Sequence, residues 1–432
     1  MLYLTLTAIS TTLPGMKTML DKKFWRNFSR NIWEKKALVL RNVKSSLLEI
    51  TDAEVFDLLV LYADRCRKLN DPTGFKFFID GFKAEEEDVL QVLPEKQDKS
   101  LLGYHARMKA LFPDYCLVCD ELLQVNHKKQ HLLTEFTDEL YRHVGFPNRF
   151  SEMGLYLGNY RKTPFGVHVD SCGVFSFPVA GVKRFRLWEP QYVKKNPSLD
   201  RAFKYEKHKK ASELLEARPG DMTYWPSSAW HIAESDGSFS ATWSLGVWVD
   251  QPHKEMISDS LKGLLAQKSG AAGTKVATQF KKLHSDSGEV SELPKAYCQT
   301  IELLQRLSVE ELQETFLKSW MQHISSQGFK TVPSASVKIS VKSKIRLRNK
   351  NSLILWQHSL TSKGVVYFSF AGVTVAGKKS GGLFRLVKDL NHGNPCMVSQ
   401  YFTRSRSDLR ALQTLADAGA LSIEKDKGLN RQ

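Results

Sequence analysis

Between residues 150 and 250 the chain is a succession of short apolar runs, each cut off by Gly, Pro or Asn. MGLYLGNY, GVFSFPV, KRFRLWEP, DMTYWP and FSATWSLGVWV are rich in β-branched and aromatic residues, and each has the length and composition of a strand. Many short strands joined by tight turns must close on themselves or stack on a second sheet to bury an apolar face, so the segment predicts a sandwich or barrel. The Pro219-Gly220-Asp221 turn ahead of MTYWP predicts a hairpin.

The flanking texture is helical. FWRNFSRNIWEKK places Phe24, Trp25, Phe28 and Trp33 on one helical face. A short strand, ALVLRNV, follows. Asp52 then reads as the N-cap of AEVFDLLVLYADRCRKL, where Val55, Leu58, Leu59 and Tyr62 recur at helical spacing. Glu121 to His143 reads as one amphipathic helix carrying Leu122, Leu132, Phe136, Leu140 and Tyr141. Residues 254–330 return to helix around KSGAAGTK, read as a flexible loop. Beyond it, SVKISVKSKIRLR and SLILWQ read as strands, and GGLFRLVKDLNHG and SDLRALQTLADAGALSIEKD as short helices capped by Gly393 and Gly419. Helix, turn, helix and a β-like LSIE predict a small winged-helix-type module.

A chain of 432 residues exceeds the size at which single cores stop growing. The expected organisation is a barrel with N-terminal helical elements over 1–253, a helical linker or dimerisation region over 254–330, and a basic winged-helix-like domain over 331–432. A content of 42% apolar and 25% charged residues excludes a disordered chain. No run of about 18 apolar residues exists to span a membrane. The opening MLYLTLTAISTTLPGM lacks the basic region of a signal peptide. The cysteines at 66, 116, 119, 172, 298 and 396 show no framework of paired spacings, which fits a reducing, cytoplasmic setting. Cys116 and Cys119 form a lone CxxC, read as two small apolar residues on a helix or its start. His127 and His131 lie four apart but lack an HExxH pattern, and read as surface residues.

The net charge of +16 is unevenly spread. From Thr331 to Lys388 there are eleven Lys or Arg and no Asp or Glu. Such a face attracts a polyanion or an acidic polypeptide, and it equally serves as a solvated surface.

His168 and Asp170 are two apart, which on a strand directs both side chains to one face. His231 lies 63 positions on, in PSSAWHIAES. Two imidazoles and one carboxylate form a facial triad that holds Fe(II) with open positions; the alternative is a hydrogen-bonded pair at a barrel mouth. Lys183 lies fifteen residues after His168. Lys183, Phe185 and Leu187 share a face that two apolar neighbours mark as interior. A turn at Ala180-Gly181 would return this strand antiparallel to the one before it and set the lysine deep in the barrel, ready to pair with a carboxylate.

TPFGVHVD, the VAGVKRFRLW run, RPGDMTYWPSSAWHIAES and FSATWSLGVW, in this order, resemble the JmjC and cupin-like family of iron and 2-oxoglutarate dependent oxygenases. The resemblance covers residues 150 to 250. It implies an α+β chain built on a double-stranded β-helix, the jelly-roll or cupin core. It implies that His168, Asp170 and His231 ligate Fe(II), that Lys183 pairs with the distal carboxylate of 2-oxoglutarate, and that dioxygen is the oxidant. Thr163 resembles a hydroxyl donor to that carboxylate, although two extra residues separate its Thr-Pro from the histidine compared with the asparaginyl hydroxylases. Val174 and Gly246 stand where those hydroxylases carry amides, and Trp248 resembles an aromatic near the metal. The implied activity is hydroxylation of a protein or peptide side chain. Small-molecule oxidation, lysine demethylation and a non-catalytic binding module are the alternatives. The implied partner is a protein or peptide substrate; the basic C-terminal segment would hold an acidic peptide, or contact RNA near a ribosomal substrate, or support a homodimer.

Overall fold

The computed structural model describes residues 18–250 except 162, the strand Ala8–Ile9, residues 258, 260–265, 268, 293, 295–330, 337–349, 352–402 and 405–424. Apart from Lys268, the KSGAAGTK stretch lies outside the described residues. The chain divides into two compact units, Met1–Asp250 with Gln327–Ala335, and Gln251–Ser326 with Ser336–Gln432.

In the first unit every apolar run between 150 and 250 becomes a strand: Phe150–Gly158, Gly173–Ala180, Lys183–Trp188, Met222–Trp225 and Ser240–Trp248. The short strands His168–Val169, Glu213–Ala217 and Trp230–Glu234 join them. Nine strands form one sheet, in the order Ala8–Ile9, Leu38–Leu40, Met222–Trp225, Gly173–Ala180, Ser240–Trp248, Phe150–Gly158, Tyr115–Asp120, Phe75–Ile79, Phe82–Lys83. A second sheet orders Glu213–Ala217, Lys183–Trp188, Trp230–Glu234 and His168–Val169, all antiparallel.

Side-chain alternation shows how the sheets meet. Phe175, Phe177, Tyr224, Trp243 and Leu245 of the large sheet pack outward into a core with Trp25, Phe28 and Phe136 of the helices. Their neighbours face the other way, where Val174 and Trp225 join Phe185, Leu187, Leu215 and Ala233 of the small sheet in a separate core. Two sheets, antiparallel apart from the parallel pairing of Ala8–Ile9 with Leu38–Leu40, face each other across that inner core and make a double-stranded β-helix.

Two turns do different work from that expected. Gly173–Ala180 pairs with Met222–Trp225 and Ser240–Trp248, while Lys183–Trp188 pairs with Glu213–Ala217 and Trp230–Glu234. The Ala180-Gly181 turn therefore carries the chain from one sheet to the other instead of pairing consecutive strands. Gly181 has φ +70°, and a Cβ there would lie 2.2 Å from the Phe239 carbonyl oxygen, so this corner requires glycine. The Pro219-Gly220-Asp221 turn is likewise a corner between sheets rather than a hairpin. Its Asp221 accepts bonds from the Arg218 and Asn42 amides, both at 3.1 Å, and from Arg41 at 2.7 Å. The corner is thereby tied to the chain that follows the Leu38–Leu40 strand.

The N-terminal region is mainly helical with a few short strands, as its sequence implied, and of those strands Phe75–Ile79, Phe82–Lys83 and Tyr115–Asp120 extend the large sheet. The CxxC lies on the last of these strands, not on a helix. Residues three apart on a strand point to opposite faces: Cys119 packs into the helix-side core and Cys116 against Phe78, Val118 and Tyr160. The two thiols diverge, and burial pushes the Cys116 thiol up to about 12.

Helix Asp52–Leu69 is capped by Thr51 rather than Asp52. The Thr51 hydroxyl accepts the Glu54 amide at 3.2 Å and the Glu54 carboxylate accepts the Thr51 amide at 3.0 Å, a reciprocal box that leaves Asp52 in the first turn. The expected 121–143 helix breaks at Asn126, whose side chain caps helix His127–Val144 behind a short 3₁₀ turn, Leu122–Val125. Trp33 falls beyond helix Lys22–Asn31 and stacks on Phe175 and Tyr224 instead.

The second unit contains helices Lys295–Gln305 and Val309–Ser325. One of its sheets orders Cys396–Met397, Lys344–Leu347 and Leu421–Ile423, the other Leu355–His358, Val365–Phe370 and Val373–Lys378. Helices Gly382–Asn391 and Arg406–Asp417 bury Leu383, Leu386, Leu390, Leu412 and Leu415 against them. Gly393 and Gly419, at φ +85° and +93°, follow the ends of those helices in the left-handed conformation of a C-terminal cap.

Glu314, 4% exposed, ties helix Val309–Ser325 to this unit's second sheet. It accepts from Ser359 Oγ (2.6 Å), the Leu360 and Thr361 amides (2.6 and 2.9 Å), Tyr367 Oη (2.7 Å) and Lys318 Nζ (3.0 Å). Burial alone would raise this carboxyl, but the donors outweigh it and hold it well below the usual range. A depressed folded value stabilises fully above the unfolded value of 4.5 and is lost as pH falls below it. Glu314→Gln should cost about 2–4 kcal/mol at pH 7. In denaturant titrations the gap to wild type should close by about 1.4 kcal/mol per pH unit below 4.5.

Candidate metal centre and its cavity

His168–Val169 is only two residues long, yet its pairing sets the site. In the ladder with Trp230–Glu234, His168 stands directly opposite His231. Directly opposed residues share a face, and the ring centroids are 4.4 Å apart. Asp170, two residues on, turns its carboxylate to the same point: Oδ1 is 3.6 Å from His168 Nε2 and Oδ2 is 3.4 Å from His231 Nε2. One ligand atom from each of the three residues lies within 4.8 Å of the others.

Tautomer follows from the partners. His168 Nδ1 is 2.9 Å from the Gly166 carbonyl oxygen and His231 Nδ1 is 3.1 Å from that of Ala229. A carbonyl oxygen only accepts, so each Nδ1 carries the proton and each Nε2 offers its lone pair toward Asp170. Burial pushes His231 down to about 4, with His168 beside it acting in the same sense. A neutral imidazole is the form that binds a metal.

Lys183 begins the neighbouring strand, where Leu187 is paired with His231 and Phe185 with Ala233. Four residues at strand rise put the lysine backbone about 13 Å from the histidine row. Its alternation is as expected: Lys183, Phe185 and Leu187 are buried, whereas Arg184 and Arg186 turn outward to Glu216 and Glu234. Lys183 is 3% exposed, donates to the Tyr160 hydroxyl, and has no carboxylate within ion-pair distance among the described residues. Burial drops its ammonium to about 8.

Two unpartnered polar atoms line the same cavity, Thr163 Oγ1 and Trp225 Nε1. Thr163 donates its amide to the Ala233 carbonyl, but its buried hydroxyl has no partner. On the inner face of the large sheet Ser176, Thr223 and Thr242 have unpartnered hydroxyls, and Trp225 an unpartnered indole N–H. Ser176 pairs directly with Thr223 in register. Buried polar groups left unpaired are costly and uncommon; of these, Thr163 and Trp225 line the cavity beside the metal-ligand candidates, and Ser176, Thr223 and Thr242 lie outside its lining. Thr163 and Lys183 share a cavity of about 390 Å³ with His168, Asp170, His231 and Trp225.

Val174 and Gly246 also line it, opposite each other in register, with Glu152 next in the row. Gly246 has a steric reason: a Cβ there would lie 2.6 Å from the Trp248 ring and 3.2 Å from Cys172 Sγ. The Trp248 indole folds over this gap, stacks on Phe150 at 4.2 Å and donates to Ser171 Oγ at 3.1 Å. Burial, reinforced by Asp120, lifts Glu152 to about 7. His127 and His131 take no part, and His131 pairs with Glu135 at 3.1 Å.

The inner hydroxyls were not anticipated from the sequence. Their signal was present: each is a small polar residue alternating with aromatics, as in VFSF, MTYW and ATWS. Tyr160, beside Lys183, carried no such mark.

Fold and site together define a cupin-type barrel with a two-histidine, one-carboxylate centre open to its interior. Residues 130–255 match the model of the JmjC domain family, and the chain carries a JmjC domain there. Among solved structures it is similar to YcfD of E. coli, at 14% identity and a TM-score of 0.49, over 93% of this chain and 98% of that one. A structure titled YcfD, a ribosomal oxygenase from Escherichia coli, in complex with cobalt and 2-oxoglutarate, matches at 15% identity and 0.49 with the same coverage. No curated protein sequence matches.

Gly246→Val should push the Trp248 indole off its seat and break its bond to Ser171. An overpacking cost of about 1–3 kcal/mol is expected, read as a lowered melting temperature together with a shift of tryptophan emission.

Proposed function

We propose that the protein is an Fe(II) and 2-oxoglutarate dependent dioxygenase that hydroxylates a side chain of a protein or peptide. The observation that carries this reading is Lys183: a buried ammonium without a counter-anion among the described residues, in the same cavity as two histidines and a carboxylate. A buried cation is costly unless paired, and a dicarboxylate with one end at the metal and the other at Lys183 supplies the missing charge.

The residues fit both groups. His168 Nε2, His231 Nε2 and an Asp170 oxygen supply the donors suited to Fe(II), leaving the remaining positions free. Lys183 and the Thr163 hydroxyl supply a charge-assisted bond and a second donor to a distal carboxylate. Bound there, iron and 2-oxoglutarate supply oxidation of an unactivated C–H bond, one oxygen atom entering the substrate and the other the succinate formed with release of CO₂.

The chain's own contribution is positioning and exclusion. The Gly166 and Ala229 carbonyls hold the imidazole tautomers, while Phe185 and Trp225 keep the lysine end dry, which strengthens its ion pair. The metal end is the more open one, with Val169 and Asp170 part-exposed at its rim, so an entire side chain of a polypeptide has access there. The Trp248 indole forms one wall of that approach.

Lys183→Ala should leave metal binding intact and weaken 2-oxoglutarate at least 30-fold, the loss expected when one partner of a buried charge pair is removed; calorimetry with Fe(II) or Co(II) under nitrogen reads both. His168→Ala should abolish the metal. In the wild type, cosubstrate affinity should fall as pH rises past about 8, where the free lysine loses its proton; a flat profile from pH 7 to 9.5 would remove Lys183 from the role. Intact mass after incubation with candidate peptides separates the remaining readings. One added oxygen supports hydroxylation, loss of a methylene points to demethylation, and absence of any 2-oxoglutarate turnover leaves a binding module.

A further inference from the structure

We propose that the second unit binds single-stranded nucleic acid across the face formed by Trp356, His358 and Phe384. This site is independent of the catalytic reading. Trp356 and His358 lie two apart on Leu355–His358, an outer strand of its sheet, and so share one face. Phe384, from helix Gly382–Asn391, sits against both, with ring centroids 5.1 Å from Trp356 and 5.9 Å from His358. The third pair, Trp356 with His358, is 5.5 Å apart. All three contacts are edge-on, at 77°, 60° and 68°, so these rings do not stack on one another. Trp356 is 39% exposed, a large apolar surface to leave in water.

Cations flank the rings on two sides. Lys388, one helical turn after Phe384, places Nζ 5.5 Å from the Phe384 centroid. At the other end, His358 pairs with Val366 and Val365 pairs with Lys378. The Lys379 amide donates to the Gly364 carbonyl at 2.7 Å. Lys363 and Lys379, both exposed, therefore lie at the turn beside His358, whereas Lys378, opposite Val365, turns to the other face of the sheet. None of these four lysines has an ion pair among the described residues, and no carboxylate occurs in the sequence from Thr331 to Lys388. The nearby acids are occupied: Asp389 accepts from Tyr401 Oη at 2.6 Å, and Glu314 is saturated.

Aromatic faces flanked by unpaired cations match the two halves of a nucleotide chain, bases that stack and phosphates that need charge. An acidic polypeptide would use the lysines and leave the rings idle. Stacking needs unpaired bases, which selects single strands over a duplex.

The test uses the full-length protein and a fluorescein-labelled single-stranded RNA of about 12 nucleotides, followed by anisotropy at low and moderate salt, with a matched duplex and polyglutamate as competitors. Expected are preference for the single strand, about a 5- to 100-fold loss in Trp356→Ala with recovery in Trp356→Phe, and a shallower salt dependence in Lys363→Glu/Lys379→Glu. Far-UV circular dichroism checks that the variants fold. Failure to bind the oligonucleotide overturns the proposal, as does a Trp356→Ala variant that binds like wild type, since the face would then act only as a polycation. Equal displacement by polyglutamate would assign the face to acidic polypeptides instead.

Discussion

The pairing of His168 with His231 is the contact on which the site depends. A two-residue strand has little stability of its own, and this one is held because it closes the edge of a sheet whose other strands are locked by the inner core of Phe185, Leu187, Leu215 and Trp225. Side-chain period on a strand is two. A slip of one residue would send both His168 and Asp170 out of the cavity and bring Val169 in. The chemistry of the centre therefore rests on register, and register rests on the burial of residues several strands away.

The large sheet divides labour between its faces. Outward, it is aromatic and packs on helices through Phe28, Phe136, Phe175 and Tyr224, which meet edge-on and tilted at 4.8 to 5.6 Å. Inward, at the alternate positions of the same strands, it carries Ser176, Thr223, Thr242 and Ser244. Had the inner positions been as bulky as the outer ones, the sheets would have packed solid. Small polar residues there leave both room and hydrogen-bonding capacity, while stability is drawn from the opposite face.

Much of this was legible in the sequence for definite reasons. The strands at 150–158, 173–180, 183–188, 222–225 and 240–248 announced themselves because each is apolar and bounded by turn residues. The inward direction of Lys183 followed from Phe185 and Leu187. What a single strand cannot reveal is its partner. Ala180-Gly181 and Pro219-Gly220-Asp221 have the composition of hairpin turns, and only the register shows that both change sheets. Tyr115–Asp120 eluded the reading because CLVC is buried on both faces and has no polar alternation. The cap of the second helix went to Thr51 over Asp52 because Glu54 reaches back to the Thr51 amide, a three-dimensional preference that a list of capping residues does not rank.

The cost of the site is concentrated at Lys183. Its ammonium has a tyrosine hydroxyl and the faces of Tyr160 and Phe185, at 4.5 and 5.5 Å, in place of a carboxylate. Two other charges are fully answered: Glu314 has five donors, and Arg186 meets Glu234 through two parallel bonds of 2.8 and 3.0 Å. The contrast is within one molecule and under one set of packing rules. Among these three charges the chain satisfies two and leaves Lys183, in one cavity with the orphaned Thr163 hydroxyl, without a carboxylate among the described residues, and under the proposed function the free energy withheld from folding at that point would become available to binding an anion.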